Sequence, residues 1–154
     1  MKSLNNKGYK LITDFEGLSL KPYLCSAKRP TIGYGNTYYS DGTLVTLQDK
    51  SISIDDAFEL FKDIADEFAK HVSKKVISNV NQNQFNSLVS FCYNVGKANF
   101  NNSTLLKLVN NNPNDALIAK EFLKWNKAGG KVSKGLTNRR MSESANYFTK
   151  IWNT

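Results

Sequence analysis

The sequence predicts an α+β fold of unequal parts, a β-containing segment over about residues 14–50 followed by a mostly helical remainder over about 53–154. Three observations predict it. The run TIGYGNTYYSDGTLVT, residues 31–46, is rich in Thr and Tyr and carries an Asp41-Gly42 turn, so it reads as a small antiparallel hairpin or meander. From Ser53 onward the apolar residues recur mainly at helical spacing. At 154 residues, 40% of them apolar, the chain 1–154 is long enough for one domain with its own core.

The elements follow in order. Leu4, Leu11, Ile12 and Phe15 mark a first helix, with Gly17 as its stop signal. Glu16 then falls at the negative end of that helix. The β segment comes next. After it, SIDD at Ser53 combines a capping residue with acid in the first turn, and Ala57, Leu60, Phe61, Ile64 and Phe68 make an apolar stripe. That predicts a long connecting helix within residues 53–75. Another helix spans about 82–95, with Gly96 closing it. Ser103 caps TLLKLV, Asn112-Pro113 is expected to open NDALIAKEFLKW, and Gly129-Gly130 breaks the chain. Thr137 is then expected to cap a last helix through about Trp152. No internal repeat is visible, and the 19 Asn residues are scattered rather than clustered.

Composition excludes several classes. No apolar run approaches 18 residues, so no membrane span is expected. MKSLNNKGYKLITDFEG has no apolar signal region after its early lysine, so the protein is expected to be made and kept in a cytoplasm. Cys25 and Cys92 show no metal-ligand spacing, and His71 is the single histidine; no metal site and no cofactor is expected. Cytoplasmic synthesis argues against a disulfide between the two cysteines. The net charge of +8 is uneven: +2 over residues 1–119 and +6 over residues 120–154. A polyanion is the partner such a patch attracts: nucleic acid, an anionic membrane surface or an acidic wall polymer.

Three side chains within residues 14–42 carry the chemistry. Glu16, at a helix C-terminus and beside apolar neighbours, is expected to hold its proton more tightly and to serve as a general acid. Cys25, flanked by Lys28 and Arg29, is expected to favour its thiolate. It reads as an inert small residue, a nucleophile or an occupant of a carboxylate's place. Thr31 offers a hydroxyl that can hold a water. Sequence physics leaves these readings open.

Resemblance supplies what spacing does not. EGLSLKPYLCSAKRPTIGYGNT resembles the active-site signature of the phage-type lysozymes, glycoside hydrolase family 24. NQFNSLVSFCYNVG, FNNSTLLKLVN and EFLKWNKAGGKVSKGLTNRRMSE resemble the same family in the same order, so the likeness covers about residues 8–148. It implies a lysozyme-like fold, with a cleft between a small β part and a helical lobe. Glu16 matches the catalytic acid, Thr31 the threonine that places water, and Cys25 the family's catalytic aspartate, from which it departs. Asn36 departs as well, standing where a histidine is usual. Tyr93 and Ser103 match positions that line the saccharide cleft, with Gly35 and Thr37 at its β-side lip.

The implied activity is that of an endolysin, a muramidase that cleaves the β-1,4 bond between N-acetylmuramic acid and N-acetylglucosamine and so lyses the host. Bacterial peptidoglycan is the implied substrate. A membrane-permeabilising holin would release the enzyme from the host cytoplasm to the wall. A monomer is expected, with no nucleic acid bound and no stable membrane insertion. Two rival readings rest on Cys25. One is a cysteine amidase using a Cys25–His71 pair, though CSAKRPTIGYG leads into a strand rather than a helix. The other is a catalytically impaired relative that binds peptidoglycan, against which the retained Glu16 weighs.

Overall fold

The computed structural model describes residues 2–151, in which seven helices and two small antiparallel sheets form an α+β fold. Helix α1, Asn6–Thr13, starts where the Asn5 side chain accepts the Gly8 N–H at 3.1 Å. It stops short of the predicted Gly17. Tighter i→i+3 turns follow, with Phe15 N–H on the Ile12 carbonyl at 3.1 Å and Glu16 N–H on that of Thr13 at 3.2 Å. Gly17 is not among the left-handed glycines, so it is no helix cap.

Strand β1, Ser19–Leu24, pairs antiparallel with β2, Pro30–Gly33, setting Tyr23 opposite Thr31 and Leu24 opposite Pro30. β1 lies within the predicted β segment but outside the hairpin read over residues 31–46, because Pro22 and an irregular alternation hide it in the sequence. A two-stranded sheet has only edge strands, and an edge tolerates proline. Beyond β2 the predicted meander is reduced to isolated bridges, Ile32 with Asn36 and Tyr38 with Leu44. The Asp41-Gly42 turn is present: Gly42 has φ 88°, and Asp41 accepts the Thr43 N–H at 2.9 Å.

Helix α2, Ile54–Lys75, runs the predicted length and is capped by Ser53, whose Oγ accepts the Asp56 N–H at 3.0 Å. Helix α3, Gln82–Val95, opens on an Asn81–Gln84 capping box and closes at Gly96, as predicted. A short α4, Lys97–Asn101, leads to α5, Thr104–Asn111, capped by Ser103. Asn112-Pro113 does not open the next helix. The Asn112 and Asp115 side chains instead accept the N–H groups of Asn114 and Leu117 in two local turns, and α6 covers only Leu117–Leu123. Gly129 (φ 58°) and Gly130 (φ 79°) make a two-residue hairpin turn between β3, Lys127–Ala128, and β4, Lys131–Val132. Ser133, not Thr137, caps α7, Lys134–Tyr147; the Thr137 hydroxyl lies inside the first turn and donates to the Ser133 carbonyl at 2.8 Å. The last helix thus ends well before Trp152, which itself lies outside the described residues.

The chain forms two compact units, Ile12–Glu67 and the discontinuous pair Met1–Leu11 with Phe68–Thr154; α1 and α2 each contribute to both. The core of the first unit holds Ile12, Ile32, Val45, Ala57, Leu60, Phe61 and Ile64. In the second, Phe91 packs edge-on against Phe100, Phe122 and Trp125. Beside that core α3 and α7 share a buried charged cluster: Glu143 meets Arg140 Nε at 2.8 Å, Arg139 Nε at 3.2 Å and the Ser90 hydroxyl at 2.5 Å. At the start of α3, Gln82 donates to the Ser3 carbonyl at 2.9 Å and Asn83 to that of Thr149 at 3.1 Å.

Candidate active site

Glu16, Cys25, Thr31, Gly35 and Thr37 all belong to the unit Ile12–Glu67. The turn after α1 leaves Glu16 half-buried and lays its carboxylate over Gly35. A Cβ at position 35 would stand 2.7 Å from Glu16 Oε2 and 3.6 Å from its Cδ, and the backbone there has φ +79°. Both facts demand glycine. The GYG run is therefore the seat of the acid, rather than only a lip of a cleft. Asn36 is buried behind it, exchanging two backbone hydrogen bonds of 2.9 Å with Ile32, and the half-buried Thr37 accepts the Val45 N–H at 3.0 Å.

Cys25 follows β1 and opens the loop to β2. Its N–H donates to the Arg29 carbonyl at 3.1 Å, and its carbonyl accepts the Lys28 N–H at 2.8 Å. Lys28 takes a left-handed φ of 61° to make this turn. Thr31 is 2% exposed, and its hydroxyl donates to the Arg29 carbonyl at 2.8 Å. The same hydroxyl is also within hydrogen-bonding reach of the Cys25 sulfur. With one proton and two acceptors, it turns to the sulfur when the sulfur carries charge. The Cys25 thiol is held below its ordinary pKa, first by the Arg29 backbone N–H and then by Thr31. The expectation of a favoured thiolate agrees, but its cause is these fixed donors rather than the Lys28 and Arg29 side chains.

Tyr23 joins the two halves of the site. It stands opposite Thr31 in the β1–β2 pair, so those two side chains share one face, and it lies two residues before Cys25. Burial raises its pKa, and the negative charges of Cys25 and Glu16 raise it further. The phenol is therefore a neutral donor within electrostatic range of both. Tyr23 was not singled out in the sequence; its i, i+2 spacing to Cys25 was the available signal.

Tyr93 and Ser103 lie in the other unit. Tyr93 is half-buried on α3, its ring 5.2 Å from that of Phe68. Ser103 is buried, accepting the Leu106 N–H at 3.1 Å and donating to the Phe100 carbonyl at 2.7 Å, so its hydroxyl is committed to capping α5. His71 is also engaged, with Nε2 2.7 Å from Asn101 Oδ1 and its ring edge-on to Phe100. Cys92 is buried and its thiol is pushed up to about 12, which makes it inert; both thiols are free. A groove of about 420 Å³ in the first unit, lined by Tyr39, Asp41, Asp56, Glu59 and Asp63 among others, contains none of the predicted catalytic residues. Among the described residues no His, Cys, Asp and Glu side chains cluster as a metal site, and no helix is long and apolar enough to cross a membrane.

Glu16, seated on the turn at Gly35, and the Cys25–Thr31 pair stand in one compact unit. Residues 13–143 match the phage lysozyme family, and the chain belongs to it. It is 43% identical over 144 residues to the endolysin of Bacillus phage PZA, covering 92% of this chain and 54% of that protein. The chain thus spans about half the length of that relative and of the Bacillus phage B103 endolysin. Among solved structures it resembles the endolysin of Escherichia coli O157:H7 phage FAHEc1, with a TM-score of 0.87 and 34% identity over 100% of this chain and 98% of that one. It also resembles the muramidase domain of SpmX from Asticaccaulis excentricus, with a TM-score of 0.83 and 29% identity over 97% of this chain and 100% of that one.

Proposed function

We propose that the protein is a muramidase of the endolysin type. It hydrolyses the β-1,4 bond between N-acetylmuramic acid and N-acetylglucosamine in bacterial peptidoglycan, with residues 1–154 acting as one catalytic domain. The observation that carries this reading is the Glu16 carboxylate seated on Gly35 in the same unit as the Cys25–Thr31 pair. Family membership and the likeness to a muramidase domain support it.

In this mechanism Glu16 gives its proton to the departing glycosidic oxygen. Cys25, as thiolate, takes the place of the second carboxylate and faces the positive charge that develops on the sugar. The Thr31 hydroxyl donates a hydrogen bond to the sulfur, which leaves its oxygen lone pairs to orient the attacking water, and the proton that this water loses passes to the thiolate. Gly35 and Thr37 flank the acid on the β side; Tyr93 offers a half-buried ring for the glycan, while Ser103 keeps its hydroxyl on the cap of α5. No metal or cofactor takes part.

The exposed lysines Lys120, Lys124, Lys127, Lys131 and Lys134 hold the anionic wall by screened attraction. The enzyme works as a monomer. It accumulates in the host cytoplasm and reaches the wall when a holin permeabilises the membrane. The test is digestion of purified peptidoglycan with mass spectrometry of the soluble products. New reducing ends at muramic acid, absent with Glu16→Gln and diminished on intact walls at high salt, are expected. Free stem peptides with intact glycan would replace this reading with an amidase; wall binding without product would leave a silent relative.

A further inference from the structure

We propose that Tyr23 is a positioning residue of this site: its ring forms the surface on which the reacting sugar rests, and its phenol O–H donates a hydrogen bond to that sugar. The inference rests on the muramidase reading and adds to it a residue that the acid–cysteine–threonine scheme leaves out.

The geometry points there from three directions. Register sets Tyr23 opposite Thr31, whose hydroxyl serves Cys25, so the tyrosine projects from the face that carries the chemistry. Cys25 follows it by two residues, immediately past the end of β1. The Glu16 carboxylate, resting on Gly35, is close enough for its charge to act on the phenol, as the Cys25 sulfur does. A sugar whose glycosidic oxygen meets Glu16 and whose anomeric carbon faces Cys25 therefore lies over Tyr23.

The chemistry suits that placement. Tyr23 is 38% exposed, a large aromatic left open beside an acid instead of being turned into the core. An aromatic ring offers an apolar face to the C–H groups of a pyranose, while its hydroxyl offers one polar contact at low entropic cost. Partial burial, reinforced by the negative charges of Cys25 and Glu16, raises the phenol's pKa, so it presents a donor throughout the working pH range. A fixed donor of this kind holds the sugar near its attack geometry, which acts on the rate of the chemical step more than on binding.

The experiment compares wild type, Tyr23→Phe and Tyr23→Leu on purified peptidoglycan, with kcat and KM measured separately and products identified by mass spectrometry. Tyr23→Phe should lower kcat about tenfold with KM changed less than about twofold, because only the donor is lost. Tyr23→Leu should lower kcat further and raise KM several-fold, because the ring is lost as well. Both variants should keep the wild-type thermal midpoint, as expected for an exposed side chain. Tyr23→Phe with wild-type kcat and KM would overturn the proposal. So would a loss of rate matched by a drop in thermal midpoint, since that marks a structural role. Wild-type protein that releases no muramic acid ends would instead overturn the muramidase reading, and this proposal with it.

Discussion

Gly35 answers two constraints at once, a left-handed backbone and a carboxylate where a side chain would begin. Gly35→Ala should therefore displace Glu16 and lower kcat at least about tenfold, a loss read as the initial rate of peptidoglycan solubilisation. Stability should also fall, by about 1 kcal/mol, from the strained φ. Cys25 supplies a pH signature. Its folded pKa lies below its ordinary value, so the thiolate contributes to stability above the unfolded thiol pKa, and that contribution is lost as pH falls through the folded one. Activity carried by the thiolate should rise with pH across that lowered range. Cys25→Asp should move the rise down into the carboxylate range, and Cys25→Ser should abolish it. A pH–rate profile of the three proteins checks this. Glu16, Cys25 and Thr31 were legible in the sequence because motif and residue type carry them. The seat beneath Glu16 and the donors around Cys25 were not, since they depend on how a turn and a five-residue loop close in space.

Among the secondary-structure elements, the expectations that failed share one cause. Several residues able to cap lie close together, and the neighbouring element decides which is used. Ser133 takes the cap of α7 because β4 ends at Val132, leaving Thr137 already helical. Asn112 and Asp115 spend their side chains on turns, so α6 starts late. Strand β1 escaped notice for a different reason: its two-stranded sheet accepts a proline that a central strand would reject. Long, regularly patterned α2 and α3 were legible in full, because periodicity and caps agree there. Ser133→Ala should cost about 1 kcal/mol in urea unfolding through loss of the Leu136 N–H partner. Thr137→Ala should cost less, since it removes no cap.

For the molecule as a whole, the basic excess of residues 120–154 divides into two kinds. Arg139 and Arg140 are buried and turned onto Glu143, so the exposed charge is carried by lysines alone. This division was invisible in the sequence, where an arginine pair in a charged run reads as surface. The buried cluster ties α7 to α3, and breaking it leaves two guanidinium charges uncompensated in the interior. Glu143→Gln should destabilise the protein by about 3 kcal/mol, measured as a fall in the urea midpoint at unchanged slope.

The hydrogen bonds that Gln82 and Asn83 make to Ser3 and Thr149 bring two segments far apart in the sequence to adjacent residues of one helix. The order in which the polypeptide is written is therefore separable from the shape it makes. On a ribosome the native order has a cost of its own. Residues 1–11 must wait for the α3 residues Gln82 and Asn86 before their partners exist, whereas Ile12–Glu67 emerges as one uninterrupted piece.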